Sequence, residues 1–335
     1  MRVPEPCGPL SEGVVRALTH EPSGPRPVLE RAVGDVLDPL TDRDLQLALW
    51  TLYELHYRGF DGVDPDAEWD PLLLVSRAAM ERVFEHAVRA LPTDADASAE
   101  QDVVMALTRM TVREGPSDLA RFLERHATRD EFVEYLSLRA VHHLRESDPH
   151  SFVLPRLDGA AKVALAELQY DEYGSGRPDR LHQDLFARGL RSLDLSTDVS
   201  AYAEKADGAT LASVNVMSLF CLNRRLRGAA LGHLAAFEAT SALPCDRIAK
   251  GAQRLGLPEV ADYYEEHVVA DAVHEQLAIR SICGTLVEAE PALAADVLLG
   301  ATACLTLDGR AGQQALDGWR ERRRHPRRTT VRAAG

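Results

Sequence analysis

Lysine is nearly absent from this chain: Lys162, Lys205 and Lys250 are its only lysines, and arginine carries the rest of the basic charge. Acids still outnumber bases, 52 to 38, giving a formal net charge of −14 over 335 residues. That balance argues against a nucleic-acid-binding body. The five cysteines (Cys7, Cys221, Cys245, Cys283 and Cys304) are odd in number, scattered and never spaced C-x-x-C. They argue against a disulfide framework and against a thiolate zinc site, and they fit a reduced, cytoplasmic setting. Met1 to Gly13 carries three prolines and no apolar run, so no signal peptide is expected there. No stretch reads as apolar enough to span a membrane. Alternating β-branched runs and internal repeats are missing as well. What remains, 45% hydrophobic and 27% charged residues, is the composition of an ordinary globular protein with ample chain for a buried core.

The periodicity predicts helix almost throughout, an all-α chain. In residues 43–58, Leu45, Leu47, Leu49, Trp50, Leu52 and Leu55 make a broad apolar face, with Thr41, Asp42 and Asp44 as a helix start. A second helix is expected over 71–91 and a linker over Pro92–Ser98. Further helices are expected near 99–112, 117–126, 129–146, 158–173, 179–191, 208–220, 223–240, 245–254, 258–284 and 290–317. An extended connection runs through Asp148-Pro149-His150 to Pro155, and Gly174-Ser175-Gly176-Arg177-Pro178 breaks the chain again. The expected organisation is an N-terminal segment (1–40), accessory N-terminal helices (41–98), a helical bundle (99–318) and a basic, solvated tail (319–335).

One stretch carries chemistry. His267, Asp271 and His274 sit at i, i+4 and i+7, which stack on one face of an α-helix. Two imidazoles and a carboxylate are ligands for redox iron or manganese, with zinc also open. The bland alternative is a buried His⁺–Asp pair. Because Val268, Val269, Ala272, Val273 and Leu277 are apolar, the helix reads as largely buried, and a buried carboxylate costs several kcal/mol unless neutralised. Glu238 is a similar anomaly within an apolar helix. Arg225 and Arg227 lie 13 and 11 residues before it, too far to pair along that helix. Glu172 ends the helix before the glycine-rich break, and His182 follows the break, which lets the two converge. Carboxylates and imidazoles projecting from facing helices build dinuclear sites in helical bundles.

Glu172 with His182 ten residues later, then Glu238, then His267-x-x-x-Asp271-x-x-His274 resembles the ligand pattern of the heme-oxygenase-like diiron oxidases, also described as iron-containing redox enzymes. The segments Leu168–Gly176 and Arg227–Glu238 look like that family's too, and the resemblance spans roughly residues 40–320. It implies a bundle shaped like heme oxygenase without heme, with extra N-terminal helices packed on it. It further implies two Fe(II) ions, O2 as co-substrate and oxidation of a small molecule. His267, Glu172 and His182 would hold one iron; Glu238, Asp271 and His274 would hold most of the other, with a bridging glutamate. Some N-oxygenating members recruit an extra glutamate upstream, and Glu146 is the match, its bland reading being a surface acid at a helix end. The expected function is N-oxygenation of an amino acid or related small amine in specialised metabolism. The alternatives are oxidative C–C cleavage, decarboxylation or desaturation of an amino or fatty acid, and, from another class, a metal-free helical binding protein. A heme site would leave five buried ligands unexplained. An external electron donor and a homodimer follow from the same resemblance; nucleic acid and membrane do not.

Four lesser expectations complete the reading. Tyr170, Tyr173, Tyr263 and Tyr264 flank the ligands, as donors to them or as core. His233 points off the ligand face. Of the adjacent His142 and His143, only one is expected to face the core. Arg224, Arg225 and Arg227 either clamp a substrate carboxylate or pair with neighbouring acids.

Overall fold

The computed structural model describes residues 1–19, 33–93, 102–113 and 118–325, without the side chains of Arg113, Val269, Asp271 and Ala272. All regular structure among the described residues is helical. The principal helices are α1 (Pro9–Thr19), α2 (Arg43–Glu54), α3 (Pro71–Arg89), α4 (Val103–Arg113), α5 (Asp118–Arg125) and α6 (Arg129–His143). They continue with α7 (Gly159–Glu172), α8 (His182–Arg191), α9 (Gly208–Leu222), α10 (Arg227–Arg254), α11 (Pro258–Gln276) and α12 (Ala294–Arg324).

The centre of the bundle is α10, which packs along α12 and α11 and also meets α5. Its approach to α12 depends on missing side chains. A Cβ at Gly232 would run into the Val297 carbonyl, and one at Gly300 into the Ala229 carbonyl. The two backbones therefore touch, and any larger residue at the crossing would force them apart. Buried Leu231, Leu234, Ala235 and Val297 fill the space on either side. Helix α2 lies against α9 and carries α1 and α3, so the N-terminal helices pack on the bundle.

Local chemistry fixes several helix ends. Thr128 and Glu131 form a reciprocal capping box at the start of α6, with 2.8 Å and 3.3 Å bonds. Asp42 caps α2 by accepting from the Leu45 amide at 2.9 Å. Asp44, read from sequence as part of the same start, instead accepts the Leu10 and Ser11 amides, both at 2.8 Å, and caps α1. Helix α1 was not anticipated, because Pro4 and Pro6 precede it and Pro9 opens it, which obscures the i, i+4 spacing of Leu10, Val14 and Leu18.

The structure departs from the expected boundaries elsewhere. The helices expected at 223–240 and 245–254 form one element, α10, which continues through Pro244. Proline deprives the Thr240 carbonyl of a partner but need not end a helix that neighbours hold on both sides. The helix expected over 258–284 changes at Leu277 into a π-helical turn, Leu277–Gly284, wound five residues per hydrogen bond. Residues 319–324, expected as the start of the tail, belong to α12: Trp319 is fully buried, and Arg323 pairs with Glu131 at 2.5 Å. The linker residues 94–98 and the tail residues 326–335 lie outside the described residues. Among those described, Pro291–Arg324 is long and apolar enough to cross a membrane by length and composition, where the sequence reading expected no such stretch. Half of its apolar window is buried inside the fold, along α10.

Candidate metal centre

The site is assembled from the ends of α6, α7 and α8 and from the middles of α10 and α11. Helix α7 stops at Glu172, and the next residues take left-handed conformations in succession: Gly174 (φ 80°), Ser175 (φ 52°) and Gly176 (φ 78°). Gly174 has no alternative, since a Cβ there would strike the Arg177 carbonyl and the Leu181 amide. This reversal brings His182, first residue of α8, back to Glu172, with its Nδ1 3.1 Å from Glu172 Oε2. Ser147 donates to the same carboxylate oxygen at 2.7 Å. Gln169 in turn donates to the Ser147 carbonyl at 2.9 Å and to Ser151 Oγ at 2.7 Å.

His267 and His274 reach the same place from α11. His267 Nδ1 donates to the Tyr263 carbonyl at 2.9 Å, one turn back, which fixes the tautomer and directs Nε2 toward Glu146 Oε1 at 3.3 Å. His274 Nδ1 lies 3.4 Å from Glu172 Oε1 and 3.3 Å from Glu238 Oε2, while its Nε2 faces Asp171 at 3.5 Å. Both imidazoles thus show one nitrogen to the carboxylates and have the other oriented by oxygen. The Asp271 side chain lies outside the described residues.

Two groups of potential ligand atoms result, each contained within 4.8 Å: Glu146, Glu172, His182 and His267 in one, and Glu172, Glu238 and His274 in the other. Glu172 belongs to both. All six side chains are buried. Glu146 is no surface acid: it is 7% exposed on the turn after α6 and takes hydrogen bonds from Tyr263 at 2.8 Å and His143 at 3.0 Å.

Three carboxylates in one dry core need compensation. Burial pushes Glu146 up, but His267 and His143 outweigh it and hold the carboxyl well below the usual range. Burial likewise raises Glu172, and His182 beside it reverses the sign. For Glu238 burial prevails over the hydrogen bond to His274, and its carboxyl is raised. Glu146 Oε2 is buried and has no hydrogen-bond partner among the described residues. Hard carboxylate oxygens, oriented imidazole nitrogens and a buried oxygen with nothing to accept suit a divalent metal pair, which would neutralise the acids together.

Several flanking expectations change. His142 and His143 are both buried, His143 facing Glu146 and His142 packing on Phe237. Adjacent residues can both turn inward because α6 ends there. Tyr263 and Tyr264 are core residues, whereas Tyr170 and Tyr173 are exposed. His233 stacks on Phe237, off the carboxylate cluster. Arg225 pairs with Glu85 at 2.7 Å and Arg227 pairs with Glu290, so neither reaches the site. Val273, one of the apolar residues from which the helix reads as largely buried, is 62% exposed. Sequence reading missed Ser147, His143 and Asp171 as orienting partners, since their contacts come from the fold and leave no periodic trace.

A cavity of about 510 Å³ opens from this cluster, with Glu146 and His267 in its wall, and continues between α5, α6, α10 and α12. Fold and site together define an all-α, heme-oxygenase-like bundle with a buried carboxylate–imidazole core. A family model described as iron-containing redox enzyme matches residues 133–309, over half of the chain, and the chain belongs to that family. No curated protein matches it.

Proposed function

We propose that this chain is a non-heme diiron, O2-activating oxygenase of specialised metabolism that N-oxygenates an amino acid or related small amine. The observation that carries the reading is the pair of buried ligand groups joined by Glu172. In it Glu146, Glu172, His182 and His267 would hold one iron, and Glu172, Glu238 and His274, with Asp271, would hold the other. Iron bound here supplies the electrons and open positions needed to activate O2.

The protein's own groups do the rest. Glu172 links the two halves, and Ser147 and His182 fix its Oε2. Tyr263 donates a hydrogen bond to Glu146 Oε1, so that carboxylate stays oriented while its other oxygen faces the core. Phe237, Leu234 and Met217 line the small space beside the cluster and limit water. The presence of Glu146 in the first group supports N-oxygenation over carbon–carbon cleavage, because it supplies the extra carboxylate that the resemblance links to amine oxidation. A dissociable external reductant, a homodimer and a cytoplasmic setting belong to the same proposal.

The test is a single-turnover reaction of protein loaded anaerobically with two equivalents of Fe(II), then mixed with O2 and an amine panel. Hydroxylamine, nitroso or nitro products support the proposal. Alkene, aldehyde or formaldehyde from the same amine would overturn the N-oxygenation, and failure to bind iron would overturn the whole reading.

A further inference from the structure

Away from the metal cluster, an ion pair bridges two walls of the large cavity. Arg139 on α6 and Asp308 on α12 meet across it, with Nη1 2.5 Å from Oδ1. Among the described residues lining the cavity, Arg139 is the only arginine or lysine. Its Nε also donates to His143 Nε2 at 3.2 Å, and the other nitrogen of that ring is 3.0 Å from Glu146 Oε1. Exposure rises outward along this line: the Glu146 side chain is 8% exposed, Arg139 21% and Asp308 47%. The pair therefore stands partway up the cavity, within reach of anything entering from solvent.

Of the remaining polar lining, Asp118 already pairs with Arg121 on its own helix. Ser213, Thr240 and Ser241 donate their hydroxyl protons to the Thr210, Ala236 and Glu238 carbonyls of their own helices. A simple carboxylate entering here would have to displace Asp308 from Arg139 and leave Asp308 uncompensated. A simple amine would meet the converse problem. A group bearing both charges on neighbouring atoms satisfies both side chains at once, since Arg139 presents five donors in a planar fork and Asp308 retains lone pairs.

We infer that Arg139 and Asp308 form the head-group site for an α-amino acid, Arg139 taking the carboxylate and Asp308 the α-ammonium, with the side chain directed inward to Glu146 and His267. This rests on the oxygenase reading and narrows its substrate class. The contacts through His143 bound the distance from the Arg139 guanidinium to the Glu146 carboxylate at roughly 8 Å. A side chain of about four to six atoms spans that gap, so the atom brought to the metals is the distal end of the side chain and not the α-nitrogen.

The experiment is calorimetric titration of anaerobic, Fe(II)-loaded protein with L-ornithine, L-lysine, L-arginine, L-leucine and L-methionine. The tightest of these is then compared with its counterparts lacking the carboxylate or the α-amino group. Each truncation is expected to weaken binding about ten-fold or more, the size of one charge-assisted contact. Arg139→Gln should erase the preference over the decarboxylated compound only, and Asp308→Asn the preference over the deaminated compound only. This crossed pattern separates recognition from a merely structural ion pair, which would weaken all ligands alike. Arg139→Lys serves if the glutamine variant does not fold, and should keep part of the carboxylate preference. Absence of binding by all five amino acids, truncated compounds that bind equally well, or uniform weakening in both variants overturns the inference. Iron content measured on the same samples before titration keeps that outcome distinct from failure of the metal reading.

Discussion

Gly174 is where backbone geometry makes the site, and replacing it with alanine tests that link. At φ 80° an L-residue pays about 1–2 kcal/mol for the left-handed conformation alone. The added methyl would also meet backbone atoms of Arg177, Arg180 and Leu181, so the turn itself must move. Together these predict a loss of about 2–4 kcal/mol in urea denaturation of the iron-free protein. Gly256 is the matched control: its φ is 70°, but a Cβ there meets nothing within 4 Å. Gly256→Ala should cost only the conformational part, about 1 kcal/mol, and leave metal content unchanged. Gly174→Ala displaces the loop that delivers His182 and should also lower iron content toward one per chain. Equal costs for the two substitutions, or full iron in a destabilised Gly174→Ala protein, would refute the reasoning that this turn builds the site.

Other consequences can be measured separately. Glu54 and Arg145 form an ion pair with side chains 1% and 2% exposed, and the arginine stacks on Trp50 and Tyr57. Glu54→Ala strands a buried guanidinium next to Glu146 and should cost about 3–5 kcal/mol in chemical denaturation. Tyr263→Phe removes the donor to Glu146 Oε1, and titration with Fe(II) should show about ten-fold weaker binding at one of two sites with the fold retained. His150 and His233 are fully buried, and burial pushes them down to about 3 and about 4. The unfolded chain therefore takes up protons first: their contribution is intact above about pH 6.5 and lost as pH falls toward 4, by about 3 kcal/mol each. Urea denaturation across that window should show the loss, and His233→Gln should flatten it.

Much of the site was legible because helices impose a period. The spacing of His267 and His274 put them on one face, and the glycine-rich break announced the reversal that joins Glu172 to His182. Glu238 stood out as an acid in an apolar helix. What stayed hidden depends on long-range packing. The single-residue contacts of Ser147, His143 and Asp171 with the cluster have no sequence spacing of their own. Proline misled twice: Pro4 and Pro6 before α1, with Pro9 at its start, masked that helix, and Pro244 divided on paper a helix that α11 and α12 hold together. The π-helical turn after His274 was invisible because its apolar residues fit an α-helix equally well. Arg225 and Arg227 resolved as ion pairs with Glu85 and Glu290, partners that only the packing of distant elements supplies.

The central claim is that Glu172 joins two ligand groups into one dinuclear centre. Iron per chain, measured by elemental analysis after anaerobic loading and desalting of folded protein, tests it most directly in the native chain and in Glu172→Ala, His182→Ala and His274→Ala. The account predicts close to two irons in the native protein, about one when either histidine is removed, and almost none when Glu172 is removed. Two irons retained in Glu172→Ala, or fewer than one in the native chain, would contradict it.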